Sequence, residues 1–425
     1  MFTSRRNFLQ WGSSLTLGAT AWSVAHGSAW ASNKSALNSD ARLVVVMLRG
    51  AYDGLSAFYP YADPYYTQHR PNIALGRGEA EQDKPYLLDD QFALHPALSA
   101  MIPFWESKRF AFIPSVGLSK PYRSHFEAQH YLEIGQDGKN GSANGWLNQL
   151  ASLERSAQLI GVGEANPEIL RGELAAQLVP RGNAALQTGV LSNPHYREVL
   201  EDLYANDHTL SQLFALGESS RVSTAMVLNQ AKMNAATEQM MANKDAAPPS
   251  ALLQDSQYLV TLMEKNPELK LGFLSAGGWD THANQGNEKG ALANNLKNLG
   301  QALAHLQNKL NQPNDLIVVM SEFGRTVKEN ASRGTDHGFG NAMMVMGQRV
   351  NGGKRLGRWE GLSPDQLNES RDVPVFHDYR QVMSTLLQKT FHLDTPQLAQ
   401  VFPSFDAAQC ERCKGFDLSK QMLID

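Results

Sequence analysis

The sequence predicts an α/β protein built on a largely parallel sheet. Three observations carry that expectation. Arg42 to Leu48 contains the continuous apolar run Leu-Val-Val-Val-Met-Leu, which suits an interior parallel strand buried on both faces. Two later runs, one opening at Leu271 and one spanning Leu316 to Met320, read as further buried strands. Between them leucines fall at 292, 296, 299, 303, 306 and 310. Steps of four and three give one apolar seam on a helix, so the stretch reads as a β-α-β unit.

The chain starts with an address. Ser4-Arg5-Arg6-Asn7-Phe8-Leu9 precedes an uncharged, moderately apolar stretch from Trp11 to Ala25, and Ala29-Trp30-Ala31 supplies an A-x-A cleavage pattern. The paired arginines resemble a twin-arginine export signal. Cleavage after Ala31, a periplasmic location and the twin-arginine export machinery as a partner are therefore expected. The apolar part is too short for a permanent membrane anchor. No later segment reaches spanning length.

Of the 425 residues 42% are hydrophobic and 19% charged, which is ample for a large core. The formal net charge is −4, and loss of Arg5 and Arg6 with the leader brings it near −6. With no basic stripe, nucleic acid and anionic membrane surfaces are not expected partners. The two cysteines, Cys410 and Cys413, stand C-x-x-C near the end. They suggest a local disulfide or two inert thiols, since a zinc site needs more ligands than this region offers.

Along the mature chain, Tyr59 to Pro71 reads as a long loop and Asp90 to Ser107 as a helix. Phe110 to Val116 reads as a strand, and Ser124 to Glu133 as a helix whose Ser-x-x-Glu start is a capping box. Leu159 to Val162 is a further strand. From about 198 to 266 helical spacing dominates, broken at Ala246-Ala247-Pro248-Pro249-Ser250, which predicts a helical insertion. Ala342 to Met346 is another apolar run, and Tyr379 to Phe391 a C-terminal helix.

Polar residues gather where these strands end. Arg49 and Asp53 follow the first strand. Asp280 and His282 follow the run from Leu271, and positions i and i+2 point the same way in extended backbone. Glu322 and Arg325 follow Met320, and Asp336-His337 comes shortly after. Carboxyl ends of strands are where open α/β sheets hold ligands. Asp53, Asp280, His282, Glu322, Asp336 and His337 are metal-ligand types. Arg49 and Arg325 could grip an oxyanion. Ser124, at a helix start, is a candidate nucleophile. Each has a plainer role: Asp53 and Asp280 as turn residues, Glu322 and Arg325 as a structural pair, Asp336-His337 as a polar loop, Ser124 as a cap. A redox enzyme with an organic cofactor is disfavoured, because no glycine-rich dinucleotide fingerprint follows a strand.

Five stretches resemble a known family: Leu48-Arg49-Gly50-Ala51-Tyr52-Asp53-Gly54, Arg123-Ser124-His125-Phe126, Gly277-Gly278-Trp279-Asp280-Thr281-His282, Ser321-Glu322-Phe323-Gly324-Arg325-Thr326 and Gly334-Thr335-Asp336-His337-Gly338. It is a family of twin-arginine-exported bacterial proteins of unknown function, related to the alkaline phosphatase and sulfatase superfamily. The resemblance implies an alkaline-phosphatase-like, three-layer α/β/α sandwich with a largely parallel sheet. It implies metal binding by Asp53, Asp280, His282 and His337, with Ser124 attacking the ester. The implied activity is metal-dependent hydrolysis of phosphate or sulfate esters, on a small-molecule or polymer substrate. A catalytically inactive binding or assembly protein is the alternative. Glu322-Phe323 stands where the superfamily has an adjacent Asp-His pair, so the implied divalent metal (zinc, manganese or calcium) is a single ion or absent. Ser119 to Arg123 matches only half of the sulfatase activation motif.

Overall fold

The structure, a computed structural model, describes residues 40–76, 85–137, 144–153, 157–186, 193–242, 251–403, 405 and 421–423. The expected leader with its cleavage after Ala31, the break at Ala246–Ser250 and the pair Cys410 and Cys413 lie outside them. The described strands are β1 (Arg42–Leu48), β2 (Phe58–Tyr59), β3 (Tyr86–Leu87), β4 (Ala93–Leu94), β5 (Phe110–Gly117) and β6 (Gln158–Val162). They continue with β7 (Ala176–Val179), β8 (Leu269–Ala276), β9 (Asp315–Met320), β10 (Asn341–Met346), β11 (Lys354–Arg355) and β12 (His377–Asp378). The chain divides into two compact units, one from 143–274 and one from 36–142 with 275–425.

The second unit carries β1 and β9 as a parallel pair, in register from Arg42 opposite Asp315 to Met47 opposite Met320. Both strands are apolar almost throughout and buried on both faces, as their composition requires. A bidentate ion pair between Arg42 and Asp315, at 2.6 and 2.7 Å, clips their amino ends together. β10 runs antiparallel to both β9 and β5, while β11 and β12 lie parallel to β5. Since β10 alone is reversed, the carboxyl ends of β1, β9 and β5 share one edge with the start of β10. β2, β4 and β3 make a small antiparallel sheet of their own.

The leucine seam forms the helix Ala291–Lys309, and all six leucines from Leu292 to Leu310 are buried. This face packs on the 3₁₀ turn Pro96–Met101. In the first unit β6 pairs in parallel with β7 and β8. The helices Pro194–Tyr204, His208–Ala242 and Ala251–Lys265 occupy the stretch read as helical. Among the described residues no helix is long and apolar enough to cross a membrane.

The α/β class with largely parallel pairing therefore stands, and three local expectations are corrected. Tyr59 to Pro71 is not all loop: Pro64–His69 is a helix, with Asp63 accepting the Tyr65 amide at 2.9 Å and proline at the first position. Asp90 to Ser107 is not one helix. Prolines 96 and 103 split it into β4, the 3₁₀ turn Pro96–Met101 and a short helix, Ile102–Glu106. The helix after β5 spans His125–Ile134, but the Ser124 side chain makes no capping bond.

A polar network runs through the apolar interior of the second unit. Asp53, 1% exposed, takes Arg70 in a two-pronged pair at 2.6 and 3.1 Å, with Ser56 and Gln285 as further donors. Arg70, 0% exposed, also donates to the carbonyls of Thr326 and Val327. Burial alone would raise the Asp53 carboxyl, yet Arg70 outweighs it and holds the group below its usual value. Gln285 uses its oxygen to accept from Thr281 and Thr335. Every charge in this layer has a partner, as burial demands.

Three outcomes follow. Leu299→Ala should lower stability by about 2–5 kcal/mol in urea unfolding, while exposed Lys297→Ala stays within about 0.5 kcal/mol. Arg70→Met should cost about 3–5 kcal/mol by stranding the buried Asp53. Because the folded Asp53 value is depressed, its stabilisation is complete above pH about 4 and fades as the pH falls through the depressed value. Arg70→Met should remove that acid-side loss from a pH series of unfolding midpoints.

Candidate metal centre

The turn after β1 and the turn after β8 meet at the shared edge. The Arg49 amide donates to the carbonyl of Ala276 at 2.8 Å. Gly50 has a φ of 113°, and a Cβ there would lie 2.8 Å from the Asp280 amide nitrogen. Only glycine lets these backbones approach so closely. Ala51 follows in the left-handed region at φ 57°, a strained state for a residue with a side chain. Its carbonyl accepts Nε of Arg325 at 2.7 Å.

Arg325 is buried and fully engaged. It donates to the carbonyls of Gly50, Ala51, Trp279 and Thr335, and at 2.6 Å to Oδ1 of Asp280. Beyond β9 the chain doubles back. Gly324 donates to Phe339, Gly338 to Gly324 and Thr326 to Asp336, each between backbone groups at 2.8–2.9 Å. This ribbon carries His337 back beside Glu322 just before the reversed strand β10 begins.

Three imidazoles and one carboxylate converge there. His125, Asp280 and His337 each place a donor atom within 4.8 Å of the other two. Nε2 of His337 lies 3.0 Å from Nε2 of His125, 3.0 Å from Nε2 of His282 and 3.2 Å from Oδ1 of Asp280. His282 Nε2 is 3.0 Å from the same Asp280 oxygen, and His125 Nε2 is 3.4 Å from the other. Side-chain exposures of 44% for Asp280 and 45% for His282 leave the cluster open to solvent on one side.

The far nitrogen of each ring is occupied. His125 Nδ1 donates to Glu322 at 2.7 Å, His282 Nδ1 to Asp336 at 3.0 Å and His337 Nδ1 to the carbonyl of Arg123 at 2.9 Å. A carbonyl only accepts, and an ionised carboxylate only accepts. In the neutral rings these partners place the proton on Nδ1 and turn each Nε2 lone pair toward the cluster. Lone pairs facing one another at 3.0 Å repel unless a cation lies among them. A metal ion would relieve that repulsion, and so would a proton on His125, whose charged form the Glu322 bond favours.

The carboxylates are held ionised. Burial tends to raise Glu322, but His125, Gln129 and the Gly50 amide outweigh it and pull the group below its usual range. Burial likewise works against Asp280, and Arg325 wins there. Asp336 is lowered first by its bond from Asn330. Phe323 packs its ring on His125 at 4.9 Å and on His337 at 5.1 Å, an apolar wall behind the cluster.

Of the residues singled out from sequence, Asp280, His282 and His337 come together. Glu322 and Asp336 stand one step back, each orienting a ring, as outer partners of metal-bound histidines do. Asp53 does not join them, because Arg70 takes both its oxygens in the core. Arg325 does not face solvent as an oxyanion clamp; it fastens Asp280. Arg49 donates to Gln129 and Glu133 instead. Ser124 is exposed beside His125. His125 itself was missed. Its signals were its place at the helix start after β5 and in the family-resembling stretch Arg123–Phe126, where the serine drew attention. Arg70 and Gln285 left no signal at all.

No curated protein is significantly similar to the chain. Among solved structures, it is similar to alkaline phosphatase from the Antarctic bacterium TAB5, with 11% identity over 75% of this chain and 94% of that one, at a TM-score of 0.36. The C-terminal periplasmic domain of EcEptC from Escherichia coli, a complex with Zn, gives 11% identity, coverage of 87% and 89%, and a TM-score of 0.39. Alkaline phosphatase from Thermus thermophilus gives 15%, 69% and 61%, and 0.30. Likenesses of this size carry no conclusion about chemistry. The sequence itself is decisive on family: residues 40–402 match DUF1501, a protein family of unknown function, and the chain belongs to it.

Proposed function

We propose that the protein is an exported, metal-dependent hydrolase of phosphate or sulfate esters, with His125, His337 and Asp280 as its metal ligands and His282 beside them. The observation that supports this most is the convergence of three Nε2 lone pairs whose rings are each anchored at Nδ1. Tetrahedral donors 2.0–2.1 Å from a zinc ion stand about 3.3 Å apart. The separations among His125, His337 and Asp280, 3.0–3.4 Å, bracket that value. Imidazole donors favour zinc or a similar transition ion over calcium, which takes oxygen.

When bound, such an ion would polarise the ester and offset charge developing on its oxygens. The chain's own groups do the rest in this reading. Ser124, exposed and free of a capping bond, is the nucleophile beside His125. Glu322 and Asp336 fix two rings, and Arg325 keeps Asp280 ionised and aimed. Residues 1–31 act as a twin-arginine leader that delivers the chain to the periplasm. The competing reading is a catalytically silent binding or assembly protein. Phe323 favours it, since the ring fills the place where a further ligand was expected.

Purified mature protein should carry about one equivalent of a transition metal. It should turn over at least one of an aryl phosphate, a phosphodiester and an aryl sulfate, and lose that turnover to a chelator. Ser124→Ala should lower kcat roughly 10³-fold. Metal without turnover would favour the silent scaffold, and absence of both would reject the site. Glu322→Gln should weaken zinc binding by about 10–100-fold in a competition titration, by loosening the His125 ring.

A further inference from the structure

The geometry points to Asp372 as a positioning residue for His337, acting through two arginines; this rests on the metal reading above. Asp372 is 0% exposed. Its Oδ2 accepts from Nη2 of Arg123 at 3.1 Å and from Nη1 of Arg371 at 3.0 Å. Both arginines then reach His337 by separate routes. Nη2 of Arg371 donates to the backbone carbonyl of His337 at 2.8 Å. The backbone carbonyl of Arg123 receives the His337 ring through Nδ1 at 2.9 Å. One buried carboxylate thus braces the main chain of His337 on one side and the acceptor that sets its ring on the other.

The loop that supplies Asp372 is built for a fixed position. Asn368 and Asp372 form a tight antiparallel bridge, with backbone bonds of 2.9 and 3.0 Å. The turn between them holds Glu369 at φ 54° and Ser370 at φ 49°. Two consecutive left-handed residues with side chains are strained, and such strain persists where surrounding structure enforces it. The enforcement is visible: Thr326 bridges Asp372, and Val327 donates to the carbonyl of Arg371 at 3.1 Å. Those residues directly follow Arg325, which fastens Asp280. Glu369 adds a 2.6 Å contact to Arg123 from the exposed side. The hairpin therefore ties one ligand, His337, to the segment that organises another.

The test uses the mature protein, zinc, and cobalt as a spectroscopic probe. Asp372→Asn and Arg371→Met should each weaken zinc binding by about 10–100-fold, the range seen when an outer partner of a metal-bound histidine is lost. Both should also alter the visible bands of the cobalt form. The double variant should weaken binding by less than the product of the two single effects, since the two changes share the route through Arg371. A merely structural residue would lower the urea midpoint and leave the cobalt spectrum unchanged, which would overturn the assignment. Wild-type affinity in both single variants, while His337→Ala loses zinc, would overturn it and leave the metal centre standing. If wild-type protein binds no zinc, both fall together. Should Asp372→Asn fail to fold, Arg371→Met carries the same comparison.

Discussion

The second unit depends on the buried guanidinium of Arg325. A charge removed from water must be neutralised and its donors satisfied, or the fold pays several kcal/mol. Here four backbone carbonyls and Asp280 meet that demand. Those carbonyls belong to the turn after β1, the turn after β8 and the loop before His337. None of the three turns can move away without stranding the charge. The same constraint leaves Asp280 ionised and aimed at the imidazoles, so a requirement of folding sets the geometry of the candidate centre.

The imidazoles obey a similar logic in reverse. Each ring gives its Nδ1 hydrogen to an oxygen fixed elsewhere: Glu322 at the end of β9, Asp336 on the returning ribbon, and the carbonyl of Arg123 ahead of the helix His125–Ile134. These anchors satisfy one side of each ring and turn lone pairs inward. The convergence favours positive charge among the rings, carried by a ring proton or by a bound cation. Phe323 stiffens the arrangement by packing against two of the rings. Beneath it, the Asp53–Arg70–Gln285 layer reaches Thr281 and Thr335, neighbours of Asp280 and Asp336. Asp53 thus contributes as a foundation.

Much of the fold was legible because it is local. The β-branched run of β1 and the leucine seam of Ala291–Lys309 carry their periodicity in adjacent residues. Asp280, His282 and His337 were legible too, as acids and histidines placed after strands. What escaped depends on partners far along the chain. His125 looked like part of a helix cap until β10 and its preceding ribbon brought His337 to 3.0 Å from it. Asp53 looked like a ligand because nothing in the sequence placed Arg70 across from it. Arg325 looked like an oxyanion clamp because its backbone acceptors come from residues 45 or more positions away, apart from Thr335. The prolines that split Asp90 to Ser107 stand in the sequence at 96 and 103.

X-ray absorption on the zinc-loaded mature protein tests the central claim most directly, because it counts imidazoles around the ion. The account predicts a first shell of nitrogen and oxygen near 2.0 Å with scattering from at least two histidine rings. An all-oxygen shell, or a shell with fewer than two imidazoles, would contradict it.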